Sequence, residues 1–259
     1  MPFIEADNAP IHYRVEGLAG APVVVLSHSL GTTLGMWDPQ MPALTERFRV
    51  LRYDSRGHGQ SAVTPGPYTI ERLGRDVITL LDGLGMQRAH FCGLSMAGML
   101  GMWLGAHAPE RVERLVLCNT AARIGSPEFW NSRIENIRKS GMEPIAAAVV
   151  GRWFTPAFQE RLPDTVGLMR RMLVETPAEG YAGCCAAIRD ADLREALARI
   201  HARTLVIAGS HDAATPPADG RFLAERIPGA RYVELAAAHL SNIEAPERFT
   251  ADLITFLSA

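Results

Sequence analysis

The chain has 259 residues, of which 47% are hydrophobic and 21% are charged, and its formal net charge is −2. This length and composition are typical of a globular domain with a large core. They argue against nucleic acid as a partner, because no basic run is present, and against a membrane span, because no apolar stretch approaches roughly 20 residues.

The first part of the chain alternates between strand and helix patterns. Residues 3–7 and 11–16 are predicted as two short strands around a turn at 8–10, which together form a hairpin. The β-branched run 22–28 and the segment 49–53 predict parallel strands that are covered on both faces. Between these two strands, 36–46 is a helix candidate interrupted by prolines. After the second strand, 69–83 has apolar residues at helical spacing and begins at an N-capping threonine, which predicts another helix. This order predicts a mainly parallel sheet with helices on both faces.

A serine follows directly on the next predicted strand, in the segment 89–101, AHFCGLSMAGMLG. The short, mainly apolar run 89–94 precedes Ser95 as a predicted buried strand, and an apolar segment at 96–107 follows it as a predicted helix. Gly93 and Ala97 are the small neighbours that let strand and helix pass closely in a nucleophile elbow, whose usual pattern is G-x-S-x-G with glycine where this chain has alanine. The strand–turn–helix context favours a nucleophile over an ordinary turn.

The alternation stops after a further strand at 113–119. Residues 122–190 are helical in character and carry many aromatic residues, methionines and arginines, so we interpret them as an inserted helical cap, which we expect to roof a pocket over Ser95. The sheet then resumes. The later segments are predicted as strands at 203–208 and 230–235 and as helices at 216–227 and 246–257. The prediction is one domain with a core formed by residues 1–121 and 191–259.

Cysteine usage and the first residues bear on the compartment. The four cysteines do not suggest a disulfide framework, and no Cys or His spacing resembles a zinc site. The N-terminal stretch lacks an apolar signal core. We therefore expect a cytoplasmic protein with reduced cysteines and no metal.

A serine nucleophile needs a base and a group that orients the base. Asp212 follows the strand 203–208 and His239 follows the strand 230–235, so both emerge at the same sheet edge as Ser95. The order Ser, Asp, His is the one expected for an elbow serine. The alternatives are a turn-capping aspartate and a helix-capping histidine, but three suitable residues at three strand ends favour a catalytic triad.

Other polar residues at this edge are assigned structural roles. His28 fits a structural residue of the loop after the strand 22–28, and His211 is expected to point away from the site. Asp54, Arg56 and His58 are catalytic candidates, but they are more typical of a turn locked by hydrogen bonds. The two oxyanion donors are predicted to be the backbone N–H groups of Leu30 and Met96.

The chain resembles the α/β-hydrolase superfamily over essentially its whole length. The segments that carry the resemblance are HSLG at 28–31, DSRGHGQS at 54–61, GLSMAG at 93–98, GSHDAATPP at 209–217 and AAHLSNIEAPERF at 237–249. Segments 107–134 and 180–200 resemble, more narrowly, the 3-oxoadipate enol-lactonases of the β-ketoadipate pathway. Ser29 and Ala97 stand where many relatives have glycine. The resemblance implies an α/β-hydrolase fold with a mostly parallel eight-stranded sheet and an inserted helical cap.

The narrower resemblance implies hydrolysis of 3-oxoadipate enol-lactone to 3-oxoadipate through an acyl-enzyme, without a cofactor. The substrate carries a free carboxylate, which is costly to bury unpaired and which arginine binds best. Among eight cap arginines we predict Arg133, because it lies three residues after Trp130 and shares its helix face. A surface or cap-stabilising role for Arg133 stays open. Trp130 and Trp153 would form apolar walls around the lactone ring.

Other functions remain open at this stage. Within hydrolases they are a general carboxylesterase, a carbon–carbon bond hydrolase or a cofactor-free haloperoxidase. A non-catalytic ligand receptor on the same fold is a different class. The sequence does not indicate an oligomeric state.

Overall fold

The computed structural model describes residues 2–259, which form an eight-stranded sheet of order β1-β2-β4-β3-β5-β6-β7-β8. The strands are β1 (Phe3–Glu5), β2 (Pro10–Gly17), β3 (Val23–Ser27), β4 (Arg49–Tyr53), β5 (Ala89–Leu94), β6 (Val112–Cys118), β7 (Arg203–Gly209) and β8 (Arg231–Leu235). The β1–β2 and β2–β4 pairs are antiparallel, and every later pair is parallel. The predicted eight-stranded, mostly parallel sheet is confirmed.

Helices cover both faces of this sheet. They are α1 (Met41–Thr45), α2 (Ile70–Gly83), α3 (Met96–His107), α4 (Pro127–Ser140), α5 (Glu143–Trp153), α6 (Pro156–Arg161), α7 (Pro163–Glu175), α8 (Ala178–Asp190), α9 (Pro217–Arg226), α10 (Ser241–Glu244) and α11 (Pro246–Ser258). Short 3₁₀ helices span Leu34–Gln40, Pro109–Arg111 and Arg194–Arg199. Within residues 2–259, no helix combines the length and hydropathy that crossing a bilayer requires.

Most predicted elements lie within a residue or two of the observed ones, and the differences have local causes. The predicted first strand is too long, because Asp7 and Asn8 adopt left-handed conformations with φ of 47° and 57° and end it early. The helix predicted at 36–46 is a 3₁₀ helix followed by α1, with Pro39 inside the first and a proline at the start of the second. The short helix α10 was not predicted. It begins two residues after His239, and its last residue, Glu244, is hydrogen-bonded to the residue before His239.

The sheet centre is apolar on both faces, as expected for parallel strands between helices. Every residue of β5 is buried, and so is most of α3, which continues from it. Small residues allow the close packing of this helix. A Cβ on Gly98 would lie 2.5 Å from the side chain of Thr120, which follows β6.

The helices α4–α8 lie between β6 and β7 in the chain and fall within the predicted cap. One of these helices, α8, touches the loop 54–61 at a contact that only glycine permits. A Cβ on Gly180 in α8 would lie 2.1 Å from the carbonyl oxygen of Gly57, which has a φ of 79°. Nearby, the Tyr68 N–H donates to the Gly183 carbonyl at 3.2 Å. These contacts hold α8 against the loop 54–61. The division into a core and a cap stays a prediction.

Candidate active site

Ser95 lies at a strained turn between β5 and α3. Its φ of 62° and ψ of −117° are unusual for a residue with a side chain, and such backbone strain is found mostly at functional sites. Flanking hydrogen bonds hold the turn: the Ser95 N–H donates to the Cys118 carbonyl at 2.9 Å, and the Thr120 hydroxyl donates to the Ser95 carbonyl at 2.7 Å. Gly93 is required, since a Cβ there would lie 2.2 Å from the Ala97 carbonyl oxygen. Ala97 itself fits as a buried residue.

Asp212 and His239 form a buried pair at the ends of β7 and β8. The His239 Nδ1 atom lies 2.8 Å from Asp212 Oδ2. Asp212 Oδ2 also accepts from the Thr215 hydroxyl at 2.9 Å, and Asp212 Oδ1 accepts from the N–H groups of Ala214 at 2.8 Å and Thr215 at 3.0 Å. Burial acts to raise the pKa of the Asp212 carboxyl, but the electrostatic interaction and hydrogen bond with His239, together with hydrogen bonds from the Thr215 N–H and Asn119, outweigh burial and lower it to about 2. Asp212 is therefore a carboxylate that can orient an imidazole and stabilise its protonated form.

A third strand end contributes a residue that sequence reasoning missed. Asn119 directly follows β6 in a left-handed conformation with a φ of 44°. Its side-chain amide donates to Asp212 Oδ2 at 3.0 Å and to the Ala238 carbonyl at 3.2 Å, and its Oδ1 accepts from the Ser241 hydroxyl at 2.6 Å. Asn119 thus joins the Asp212 carboxylate to the loop that carries His239. The signal available in the sequence was its place at a strand end on the same edge as Ser95.

The loop after β3 leaves the Leu30 N–H without an acceptor among residues 2–259. The Ser29 N–H donates to the Met36 sulfur at 3.2 Å, and the Gly31 N–H donates to His58 Nε2 at 3.0 Å. Among the hydrogen bonds found in residues 2–259, none uses the Leu30 N–H between them, nor the N–H of Met96 at the start of α3. Both groups are therefore free to donate to a ligand, and their role as oxyanion donors stays a prediction.

Two neutral imidazoles hold this loop in place. His28 Nε2 accepts from the Ser55 N–H at 2.8 Å, so its Nδ1–H is the donor toward the Ser29 carbonyl at 2.8 Å. Burial lowers the pKa of His28. Burial, together with the neighbouring His28, lowers the pKa of His58 to about 3, which keeps its Nε2 free to accept from Gly31. The structural role expected for His28 is confirmed.

The loop 54–61 is locked by hydrogen bonds, as predicted. Asp54 Oδ1 accepts from the Leu34 N–H at 2.9 Å, and Asp54 Oδ2 lies 2.8 Å from His12 Nδ1. Arg56 is fully buried and donates two hydrogen bonds to Asp76, at 2.6 and 2.9 Å. His211 is exposed and is not among the residues that line the cavity over Ser95, in agreement with the prediction.

A cavity of about 220 Å³ is lined by several of the predicted site residues. They include Ser95, Leu30 and His239, together with Trp130 from α4 and Trp153 from α5. The volume is below the range of roughly 300–1,000 Å³ typical of pockets for drug-sized ligands, which favours a small substrate. Of the other predicted residues, Arg133 also lines the cavity, whereas Asp212 and Met96 do not, and Asp212 connects to it through its contact with His239. The roles of these residues stay predictions.

Two arginines face this cavity without a neutralising partner. Arg133 and Arg152 are both half-buried lining residues, and within residues 2–259 neither pairs with a carboxylate. Arg133 Nη1 donates to the Tyr181 hydroxyl at 3.3 Å, and the two guanidinium carbons lie 5.1 and 5.6 Å from the centre of the Phe129 ring. Burial lowers the pKa of Arg152, and the positive charge of Arg133 lowers it further. An anion between the two groups would relieve this repulsion.

Arg152, Tyr181 and Phe129 were not predicted as site residues. They lie on α5, α8 and α4, and only the packing of the cap helices brings them to one cavity. The available signal was weak: Arg152 directly precedes Trp153, a predicted wall residue.

Comparison with known proteins shows which family the chain belongs to. Residues 22–246 match the family model of the alpha/beta hydrolase fold. The chain belongs to the α/β-hydrolase family. It is 44% identical over 95% of its length to 3-oxoadipate enol-lactonase 2 of Acinetobacter baylyi, of which the match covers 92%. The crystal structure of the enol-lactonase from Burkholderia xenovorans LB400 superposes with a TM-score of 0.99 at 51% identity and covers both chains fully. A thermophilic esterase from Thermogutta terrifontis, with malate bound, superposes with a TM-score of 0.93 at 30% identity over 99% of this chain and 97% of the esterase.

Proposed function

We propose that this α/β-hydrolase hydrolyses 3-oxoadipate enol-lactone to 3-oxoadipate in the degradation of aromatic compounds. Its similarity to two enol-lactonases, at 44% and 51% identity, supports this substrate. The observation that carries the proposal is the arginine pair facing the cavity above Ser95. A small neutral ester needs no such pair, whereas the enol-lactone bears a carboxylate that two guanidinium groups can receive.

The proposed reaction begins with proton transfer from the Ser95 hydroxyl to His239 as Oγ attacks the lactone carbonyl carbon. The carbonyl oxygen becomes an oxyanion, which the N–H groups of Leu30 and Met96 stabilise. Asp212 stabilises the imidazolium that forms. The ring C–O bond then breaks, and the His239 imidazolium donates its proton to the departing enolate oxygen, which leaves an enol and a neutral His239. The released enol becomes a ketone, which makes this leaving group easier to expel than an alkoxide.

The second half of the reaction clears the acyl-enzyme. His239 takes a proton from water, the hydroxide attacks the acyl carbon, and the collapse of the tetrahedral intermediate returns the proton to Ser95. None of these steps requires an organic cofactor or a metal ion. The Ser95, Asp212 and His239 roles and the two oxyanion donors are part of the proposal, as is the binding of the substrate by Trp130, Arg133 and Trp153.

In this proposal residues 122–190 act as the substrate-recognition cap of a core formed by residues 1–121 and 191–259. The cap supplies both tryptophan walls and both arginines, whereas the core supplies the reacting groups. The substrate class is a small lactone with a free carboxylate. A nucleic-acid partner is not part of the proposal, and the cytoplasmic location stays a prediction.

The test compares the turnover of 3-oxoadipate enol-lactone with that of a neutral p-nitrophenyl ester by the same preparation, with Ser95→Ala as the control. We expect kcat/KM for the lactone to exceed that for the ester, and the control to lose both activities. A preference for the neutral ester would indicate a general carboxylesterase and overturn the substrate assignment. A single slow turnover that leaves a stable adduct would instead indicate a receptor.

A further inference from the structure

Glu244, the last residue of α10, connects two parts of the site that are far apart in the chain. Its carboxylate accepts from the Ala238 N–H at 2.8 Å. The same carboxylate accepts from the Thr155 N–H, at 3.2 Å to Oε1 and 3.3 Å to Oε2, and Oε1 also accepts a short hydrogen bond from the Thr155 hydroxyl. Ala238 belongs to the loop after β8, whereas Thr155 lies in the cap between α5 and α6.

The bonded residues adjoin two groups of the proposed site. Ala238 immediately precedes His239, and Thr155 comes two residues after the wall residue Trp153. A second cross-link runs parallel to the first, because the Leu240 N–H donates to the Trp153 carbonyl at 3.0 Å. Both chain neighbours of His239 are therefore linked to the cap, Leu240 directly through Trp153 and Ala238 through Glu244.

The chemistry of this link requires a carboxylate. Three donors from two segments converge on the Glu244 side chain: two backbone N–H groups and one hydroxyl. An ionised carboxylate has two acceptor oxygens and no donor, so it can satisfy all three donors. A glutamine would turn an N–H₂ group toward one of these N–H donors. An alanine would leave the Ala238 and Thr155 N–H groups without this partner.

We propose that Glu244 is a positioning residue that fixes the His239 loop relative to the cap. Because Glu244 binds both segments, the position of Trp153 and the orientation of the His239 imidazole depend on the same link. Glu244 does not touch the substrate and acts only through Ala238 and Thr155. The inference rests on the proposed role of His239 as the base, and not on the identity of the lactone.

The first experiment compares Glu244→Ala and Glu244→Gln with a matched control, Glu247→Gln, which changes an exposed glutamate at the start of α11. Three quantities are measured on folded protein: kcat and KM for a neutral p-nitrophenyl ester, and the rate at which a neutral fluorophosphonate labels Ser95. We expect Glu244→Ala to lower kcat and the labelling rate by about tenfold with KM changed less than about threefold, because a charged hydrogen bond that aims the base is lost. Glu244→Gln should recover part of the loss, and the control should match the wild type.

The second experiment removes the other end of the link. Thr155→Val deletes the hydroxyl donor and is expected to lower the same two rates, whereas Thr155→Ser should recover most of them. Because Thr155 and Glu244 act through one link, Thr155→Val combined with Glu244→Ala should be little worse than Glu244→Ala alone. If Glu244→Ala does not fold, the Thr155 variants decide the question by the same criteria.

The proposal is overturned if folded Glu244→Ala, or Thr155→Val in its place, keeps the wild-type kcat and labelling rate and changes only the melting temperature. It is also overturned if the two losses multiply in the double variant. Both readouts use neutral reagents, so they do not depend on recognition of the lactone. A wild-type enzyme that cleaves the ester but not the lactone would refute the proposed substrate while leaving the test of Glu244 intact.

Discussion

Replacing Arg133 or Arg152 by leucine tests how the cavity selects an acidic substrate. Arg133 is held by the Tyr181 hydroxyl at 3.3 Å, and both guanidinium groups lie over the Phe129 ring. Neither has a carboxylate partner within residues 2–259, so each is available to a substrate anion. Leucine removes the charge and the hydrogen-bond donors while keeping an apolar side chain on the cavity wall.

The magnitude follows from the kind of contact that is lost. A hydrogen bond to a charged group contributes about 1.5–3 kcal/mol, and each 1.36 kcal/mol changes a rate tenfold. Arg133→Leu should therefore lower kcat/KM for the acidic lactone by roughly 10- to 150-fold. Arg152→Leu should fall in the same range, because it removes the same kind of charged contact. Turnover of a neutral ester should change less than about threefold.

The assay is steady-state kinetics of each variant on the lactone and on a neutral p-nitrophenyl ester, with thermal unfolding measured in parallel. Arg133→Lys is the matched control for charge, since lysine keeps the positive charge but lacks the planar fork that binds two oxygens. It should fall between the wild type and Arg133→Leu. An equal loss on both substrates, accompanied by a lower melting temperature, would show that the arginine supports the cap and does not recognise the carboxylate.

Three further predictions concern the core beneath the site. Asp76→Asn leaves the buried Arg56 charge unpaired and should lower the free energy of unfolding by about 3–5 kcal/mol, measured by urea denaturation; a change below about 1 kcal/mol would contradict this. Asp54→Asn should lower the melting temperature while kcat stays within about threefold of the wild type, whereas a triad-like loss of kcat would make Asp54 the catalytic acid. Because the pKa of His58 is about 3 in the folded protein and about 6.5 when unfolded, the unfolded chain binds more protons between these values. The free energy of unfolding should therefore fall as the pH drops from 6.5 toward 3, by up to about 1.4 kcal/mol per pH unit from this group. His58→Gln should show a smaller fall, because its amide oxygen can still accept from the Gly31 N–H but does not titrate. An identical pH dependence in the variant and the wild type would refute the lowered pKa of His58.

The elements that sequence reasoning placed well are those specified by local signals. The strand and helix that flank Ser95 were predicted with the observed bounds, because an unbroken apolar run, a serine and small neighbours specify the turn locally. Asp212 and His239 could be predicted as site residues without knowledge of the tertiary contacts, because parallel strands bring their carboxyl ends to one sheet edge. Each of these inferences needs only the order and direction of the strands.

The residues that were missed depend on how separate segments pack. In the sequence, nothing local distinguishes Arg152 from most of the other arginines between residues 122 and 190. The packing of α4, α5 and α8 brings it to the same cavity as Arg133 and Tyr181. Glu244 lies on a four-residue helix too short to give a periodic pattern, and its partners are 6 and 89 residues away. The sequence contains no local signal for such contacts.

A double-mutant cycle on Ser95 and His239 tests the proposed catalytic triad most directly. It requires kcat/KM for the enol-lactone for both single variants and for their combination. If Ser95 is the nucleophile and His239 its base, Ser95→Ala should lose on the order of 10³-fold or more. Asp212→Asn and His239→Ala should each be nearly as damaging, and Ser95→Ala combined with His239→Ala should be little worse than Ser95→Ala alone, because residues that act as one unit give strongly non-additive losses. A Ser95→Ala enzyme with near-native turnover, or a double variant in which the two losses multiply, would contradict the assignment of Ser95 as nucleophile and His239 as its base.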